Sequence, residues 1–195
     1  MATAGYVLAG GASSRMGRNK AFLTVGGRTM IEIAAEAVCE AAGNVTIVGT
    51  PEIYRHLPYP AIPDLRAGAI PGVGPLGGIE SALAHTSADW NLIVACDMPA
   101  ITAVTLQLIL AAAAAHPEAG CVIPESRQGF LEPLCAAYHR RLLPALSAAL
   151  DAGTRKVTSG LPEDAIHRLR MTSDPIFQNI NTPEEWGALR QSLDR

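Results

Sequence analysis

Residues 8–20 read Leu-Ala-Gly-Gly-Ala-Ser-Ser-Arg-Met-Gly-Arg-Asn-Lys. Gly10 and Gly11 permit a sharp turn and bring bare backbone N–H groups close to a ligand. Ser13 and Ser14 add hydroxyl donors, and Arg15, Arg18 and Lys20 add positive charge. Backbone donors beside cations are what gripping a triphosphate requires, with its roughly four negative charges. Two other phosphate loops are excluded. A Walker A loop needs G-x-x-x-x-G-K-[ST], and Lys20 follows Asn19. A dinucleotide fingerprint needs G-x-G-x-x-G, which Gly10, Gly11 and Gly17 do not supply. A merely flexible surface loop leaves the serines, arginine and lysine at these offsets unaccounted for.

A second chemical position is Asp97, which follows the apolar run Leu92–Ala95 and Cys96. A carboxylate at the end of a buried strand can hold Mg²⁺, which takes one or two carboxylates together with substrate phosphates. It can equally cap a helix, and the glycine loop upstream favours the metal. Asp64, after Pro63, is by residue type a turn former. Gly74-Pro75-Leu76 leads to a helix start, where backbone could approach a base or ribose or simply turn. Arg155 and Lys156 follow a predicted helix and could meet an anionic acceptor or complement the helix dipole. Asn179 and Asn181 precede Thr182-Pro-Glu-Glu185; Asn181 could cap the last helix or face the site. The histidines share no spacing and are given no role. Cys39, Cys96, Cys121 and Cys135 contain no C-x-x-C and are expected to be reduced core thiols, with no zinc.

The elements that must position these groups alternate in type. Gly5–Ala9 predicts a buried strand ending in the glycine loop, which runs to about Gly27. Thr29 and Glu32 have capping-box spacing, opening a helix with the stripe Ile31, Ala34, Ala35, Val38 and Ala42 and a stop at Gly43. Val45–Val48 predicts a strand. Residues 51–78, rich in proline and glycine, predict one long irregular loop. Ile79–His85 reads as a helix, Leu92–Ala95 as a strand and Thr102–Ala115 as a helix. Cys121–Ile123 and Leu131–Tyr138 read as strands, His139–Ala152 as a helix, Ile166–Met171 as a strand, and Thr182 opens a final helix. Such alternation gives an α/β fold, a mostly parallel sheet with helices on both faces. At 195 residues, the chain is expected to be one domain.

Composition excludes several classes. The chain is 49% hydrophobic and 17% charged, which can build a core and is no disordered tail. A net charge of −3 with no basic block argues against bulk nucleic-acid binding. The longest apolar run, Leu108–Ala115, is far short of the roughly 20 residues of a membrane span. The opening residues do not follow a secretory signal, since the first basic residue is Arg15 and Gly10-Gly11 breaks the apolar stretch. A cytoplasmic location is therefore expected.

Leu8-Ala-Gly-Gly-Ala-Ser-Ser-Arg-Met-Gly-Arg-Asn-Lys-Ala-Phe-Leu23 resembles LAGGxSxRMGxxKAxL, a signature of nucleotidyltransferases with a three-layer Rossmann-like fold. With Gly74-Pro-Leu-Gly-Gly78, Glu132-Pro-Leu-Cys-Ala-Ala-Tyr138 and Asn179-Ile-Asn-Thr-Pro-Glu-Glu185, the chain most resembles the molybdenum cofactor guanylyltransferases. The resemblance implies transfer of GMP from GTP to the phosphate of molybdopterin, free or molybdenum-bound, with release of pyrophosphate. It implies that Leu8, Ala9, Gly10 and Gly11 line the nucleotide, that Arg15 and Lys20 hold phosphates, and that Asp64, Gly74, Pro75 and Leu76 contact the nucleotide. Asp97 would bind Mg²⁺ and nucleotide, while Arg155, Lys156, Asn179 and Asn181 would meet the acceptor. The nucleotide part would span about residues 1–100 and the acceptor part about 101–195. Other proteins of cofactor biosynthesis could deliver the acceptor. The cytidylyl relatives usually carry LAAG where this chain has Leu8-Ala-Gly-Gly11. Gly49-Thr-Pro51 stands where the family often has an asparagine, and the segment from Asp64 to Gly74 is longer than usual. The alternatives are a transferase using CTP or a sugar or polyol phosphate acceptor, and a nucleotide-binding protein without catalysis.

Overall fold

The structure, a computed structural model, describes residues 1–10, 19–66 and 74–171. In chain order the elements are β1 (Thr3–Leu8), β2 (Thr24–Val25), β3 (Arg28–Thr29), α1 (Met30–Ala42), β4 (Thr46–Val48), α2 (Pro51–Tyr54) and β5 (Ala61–Ile62). There follow α3 (Pro75–His85), β6 (Trp90–Ala95), α4 (Ala103–Ala115), β7 (Cys121–Glu125), β8 (Cys135–His139), α5 (Leu143–Asp151) and β9 (Ile166–Arg170).

Seven strands form one sheet in the order β5-β4-β1-β6-β8-β7-β9, and β2 and β3 form a separate hairpin. All pairings in the large sheet are parallel except those of β8, which runs antiparallel to β6 and β7. Side chains alternate across each strand. Val7, Ile47, Leu92, Val94, Val122 and Ala137 therefore meet α1 and α4 in one core layer. Tyr6, Leu8, Val48, Ile93, Ala136 and Tyr138 meet α3 and α5 in the other. This is the expected three-layer α/β arrangement.

The register decides where the site lies. Leu8 pairs with Val48 on one side and Ala95 on the other, and Val48 pairs with Ile62. The carboxyl ends of β5, β4, β1 and β6 therefore stand in one row. Whatever follows Ile62, Val48, Leu8 and Ala95 emerges on the same edge, where open α/β sheets bind ligands.

Several predicted boundaries are borne out. Thr29 and Glu32 form the full capping box of α1, the Thr29 N–H donating to Glu32 Oε2 at 2.8 Å. The Thr102 side chain accepts from the Thr105 N–H and caps α4. Other boundaries need correction. Residues 51–78 are not one irregular loop: they hold α2, β5 and the first turn of α3. Proline is tolerated in the first turn of a helix, where its missing N–H has no partner to lose, so Pro51 and Pro75 start helices and do not break them. Gly74, at φ 68°, makes the left-handed turn into α3. The strand expected over 131–138 begins only at Cys135, because Pro133 has no N–H for a ladder and its carbonyl instead accepts from the Tyr138 hydroxyl at 2.6 Å. The helix expected from His139 opens as a 3₁₀ turn over Arg140–Leu142 and becomes α-helical at Leu143. The helix predicted at Thr182 lies outside the described residues. Among the described residues no helix is long and apolar enough to cross a membrane.

Candidate nucleotide-binding site

At the row of strand ends lies a cleft of about 200 Å³. Leu8, Ala9 and Gly10 form one wall, Asn19, Lys20 and Ala21 a second, and Ala95, Cys96 and Asp97 a third, with Pro75 and Leu134 closing it. The two strands whose ends supply lining residues, β1 and β6, are direct neighbours. Continuity past their ends is fixed by backbone hydrogen bonds: Cys96 N–H to Leu8 O at 3.1 Å, and Ala95 N–H to Leu134 O at 2.8 Å.

Lys20 and Asp97, separated by most of the domain in sequence, thus face one cavity. Burial raises the Asp97 carboxyl above the ordinary carboxylate range, and the Lys20 ammonium draws it partly back. Its Oδ1 is buried with no hydrogen-bond partner among the described residues. A buried acceptor left unpaired is costly unless a ligand or ion completes it. Among the described residues no group of three or more His, Cys, Asp or Glu side chains could hold a metal. One hard carboxylate oxygen facing a phosphate-sized cleft nevertheless suits Mg²⁺, which takes its remaining ligands from phosphates and water. The residues present fit that ion. The neighbouring Cys96 thiol is pushed up to about 12 by burial and then by Asp97, which favours the protonated thiol over the thiolate.

The other predicted residues are distributed unevenly. Pro75 reaches the cleft; Leu76 does not, being fully buried in the core beneath α3. Gly74 sits at the α3 start. Asp64 follows β5 but does not line the cleft, and its Oδ1 accepts from the Arg66 N–H at 2.9 Å in a tight turn. Arg155 is half-buried, with its guanidinium donating to the Thr154 carbonyl at 3.1 Å, and Lys156 is exposed; neither lines the cleft. Gly11, Arg15, Arg18, Asn179 and Asn181 lie outside the described residues. Of the cysteines, all four are free, Cys121 and Cys135 buried as expected; Cys39 is only half-buried and Cys96 borders the cleft.

Sequence reading missed four contributors. Asn19 caps the 3₁₀ turn over Lys20–Phe22, its Oδ1 accepting from the Ala21 N–H at 3.1 Å. Asx residues before a short helix are a readable cap signal. Leu134 closes the wall because β8 runs antiparallel beside β6, a pairing no local pattern announces. Tyr54 lies beneath the rim, donating to the Ala9 carbonyl at 2.6 Å. Arg66 chelates the buried Glu80 on α3 through Nε and Nη2 at 2.6 and 2.7 Å, and reaches Asp151 on α5 at 2.5 Å. It thereby clamps the chain after β5 to both helices of that layer.

A family model described as the MobA-like NTP transferase domain matches residues 5–169. The probable molybdenum cofactor guanylyltransferase of Nostoc sp. is 36% identical over 190 residues, covering 96% of this chain and 90% of that protein. The molybdenum cofactor guanylyltransferase of Vibrio atlanticus is 32% identical over 187 residues, covering 94% of this chain and 93% of that protein. The crystal structure of molybdopterin-guanine dinucleotide biosynthesis protein A from Archaeoglobus fulgidus superposes with a TM-score of 0.80 at 24% identity, covering 98% of each chain. The sheet order, the cleft at the strand ends and these likenesses over nearly the whole length agree: the chain belongs to the MobA-like NTP transferase family.

Proposed function

We propose that the chain is a molybdenum cofactor guanylyltransferase, moving GMP from GTP to the phosphate of molybdopterin, free or carrying molybdenum. The observation that carries the reading is the convergence on one cleft, at the ends of β1 and β6, of Lys20 and of Asp97, whose Oδ1 is buried without a hydrogen-bond partner among the described residues. The names of relatives above 30% identity support GTP as donor and molybdopterin as acceptor.

An acceptor phosphate oxygen attacks the α-phosphorus of GTP. The new P–O bond forms as the α–β bridging bond breaks, and pyrophosphate leaves. The nucleophile is already anionic, so no strong general base is needed, and rate comes from alignment and charge neutralisation. Lys20 stabilises the phosphates that depart, joined in this proposal by Arg15. Gly10 and Gly11 offer backbone N–H groups. The Leu8 and Ala9 carbonyls already accept from the Cys96 N–H and the Tyr54 hydroxyl, so in this reading those residues line the nucleotide as wall. In this reading Gly74 and Pro75 approach the base or ribose by backbone, and Asp64 contacts the nucleotide from outside the cleft wall. Asp97 would hold Mg²⁺, which when bound offsets phosphate charge as it accumulates on the leaving group.

In this reading the nucleotide part spans about residues 1–100 and the acceptor part about 101–195, with Arg155, Lys156, Asn179 and Asn181 toward the pterin. We place the reaction in the cytoplasm, with other cofactor-biosynthesis proteins handing over the acceptor. Pyrophosphate release measured with each of the four nucleoside triphosphates, with and without molybdopterin, tests the reading. Release with GTP only when acceptor is present is expected. Preference for CTP would overturn the donor assignment, and nucleotide binding without any release would overturn the enzyme.

A further inference from the structure

The rim of the cleft is held by one hydroxyl. Tyr54 is the last residue of α2 and is essentially fully buried. Its hydroxyl donates to the Ala9 carbonyl at 2.6 Å and accepts from Asn19 Nδ2 at 3.4 Å. Those partners lie 45 and 35 residues away along the chain. Asn19 spends its other end on the Ala21 N–H, shaping the turn that carries Lys20. The Ala9 N–H is already bonded to the Val48 carbonyl at 2.9 Å. Both backbone groups of Ala9 are therefore fixed by protein. Because a trans peptide holds its C=O and the next N–H antiparallel, anchoring the Ala9 carbonyl also aims the Gly10 N–H away from Tyr54. Burial raises the Tyr54 hydroxyl above its ordinary range, so it keeps its proton throughout the neutral region.

Two further contacts show that the ring is seated for this purpose. A Cβ on Gly49 would stand 2.8 Å from Tyr54 Cε2, so only glycine there lets the ring slide under Ala9. Phe22, from the Lys20 turn, packs on the same ring with centroids 5.8 Å apart.

We infer that Tyr54 and Asn19 are positioning residues for nucleotidyl transfer: the Tyr54 hydroxyl locks the Ala9–Gly10 peptide and the Asn19–Lys20 turn into one frame, fixing where two phosphate-binding donors stand. This rests on the nucleotidyl-transfer reading. Tyr54→Phe retains the ring and removes only the link.

The test measures binding of a fluorescent GTP analogue, KM for GTP and for molybdopterin, kcat, and melting temperature. The proteins are wild type, Tyr54→Phe, Asn19→Ala and the double variant. GTP affinity should fall about tenfold in each single variant, with KM for molybdopterin unchanged. The double variant should be no weaker than the worse single one, because both act through one hydroxyl. Additive losses, or unchanged GTP affinity in both single variants, would overturn the inference. So would an affinity loss that appears only as Tyr54→Phe loses its fold while the half-buried Asn19→Ala binds GTP normally. If wild type itself neither binds GTP nor releases pyrophosphate, the underlying reading fails instead.

Discussion

Replacing Asp97 by Asn should make the ligand-free protein more stable while nearly abolishing transfer. The carboxylate stands at the wall of the cleft with Oδ1 buried and unpaired among the described residues. Burial works against its charge, and Lys20 offsets only part of that. An unsatisfied buried acceptor costs about 1–3 kcal/mol, more when charged. The open side of the cleft and the lysine reduce this, so the neutral isostere should recover about 1 kcal/mol. For a chain of this length that corresponds to about 2–4 °C in melting temperature. Loss of the carboxylate that would hold Mg²⁺ against the phosphates should meanwhile cost about 10²–10³-fold in turnover. Calorimetry on metal-free, nucleotide-free protein reads the first effect, and initial rates of pyrophosphate release read the second. Mg²⁺ with GTP should raise the melting temperature of wild type and leave that of the variant nearly unmoved. A variant that melts below wild type and transfers GMP at a near-normal rate would refute the reasoning, since Asp97 would then be an ordinary structural cap.

Three other outcomes follow from the same structure. Lys20→Ala should weaken GTP binding about 10–100-fold, as expected for a lost charge-assisted contact, and should lower the melting temperature of the ligand-free protein, because Asp97 loses the ammonium that offsets its burial; equal binding would remove Lys20 from the site. Leu76→Ala should cost about 2–5 kcal/mol in denaturant unfolding, because its side chain is fully buried, while KM for GTP stays near wild type; the reverse pattern would return Leu76 to the nucleotide. Glu80 is held below the ordinary carboxylate range, chiefly by its hydrogen bonds from Arg66, so it contributes stability above its unfolded-state value that is lost as pH falls through the folded one. The melting-temperature gap between wild type and Glu80→Gln should therefore be widest near neutrality and close below about pH 4, and a gap constant with pH would contradict the ion pair.

The legible parts were those whose physics is local. Thr29 and Glu32 announced α1 because a capping box satisfies backbone donors within one turn. Gly5–Ala9 and Leu92–Ala95 announce strands because both faces of a central strand covered by helices are buried and so read as unbroken apolar runs. Over residues 51–78 proline and glycine do not act as breakers alone: they stand at helix starts and at close approaches, which composition does not distinguish from a loop. Leu76 was assigned to the nucleotide by the motif around it, and no spacing in Gly74-Pro-Leu-Gly-Gly78 shows which side of α3 faces the core. Tyr54 and Arg66 were passed over because their partners are distant in sequence.

What the sequence alone determined is the chemical equipment: a glycine turn with cations after one apolar strand, and a carboxylate after another. It also set the alternation that makes a parallel sheet. What only the tertiary structure decided is the meeting of those parts. Leu8 pairs directly with Ala95, so Gly10 and Lys20 beyond one strand and the acid beyond the other open into a shared cleft. Strand order and register are set by the packing of whole helices on both faces of the sheet, a sum of long-range contacts that no local stretch of residues encodes.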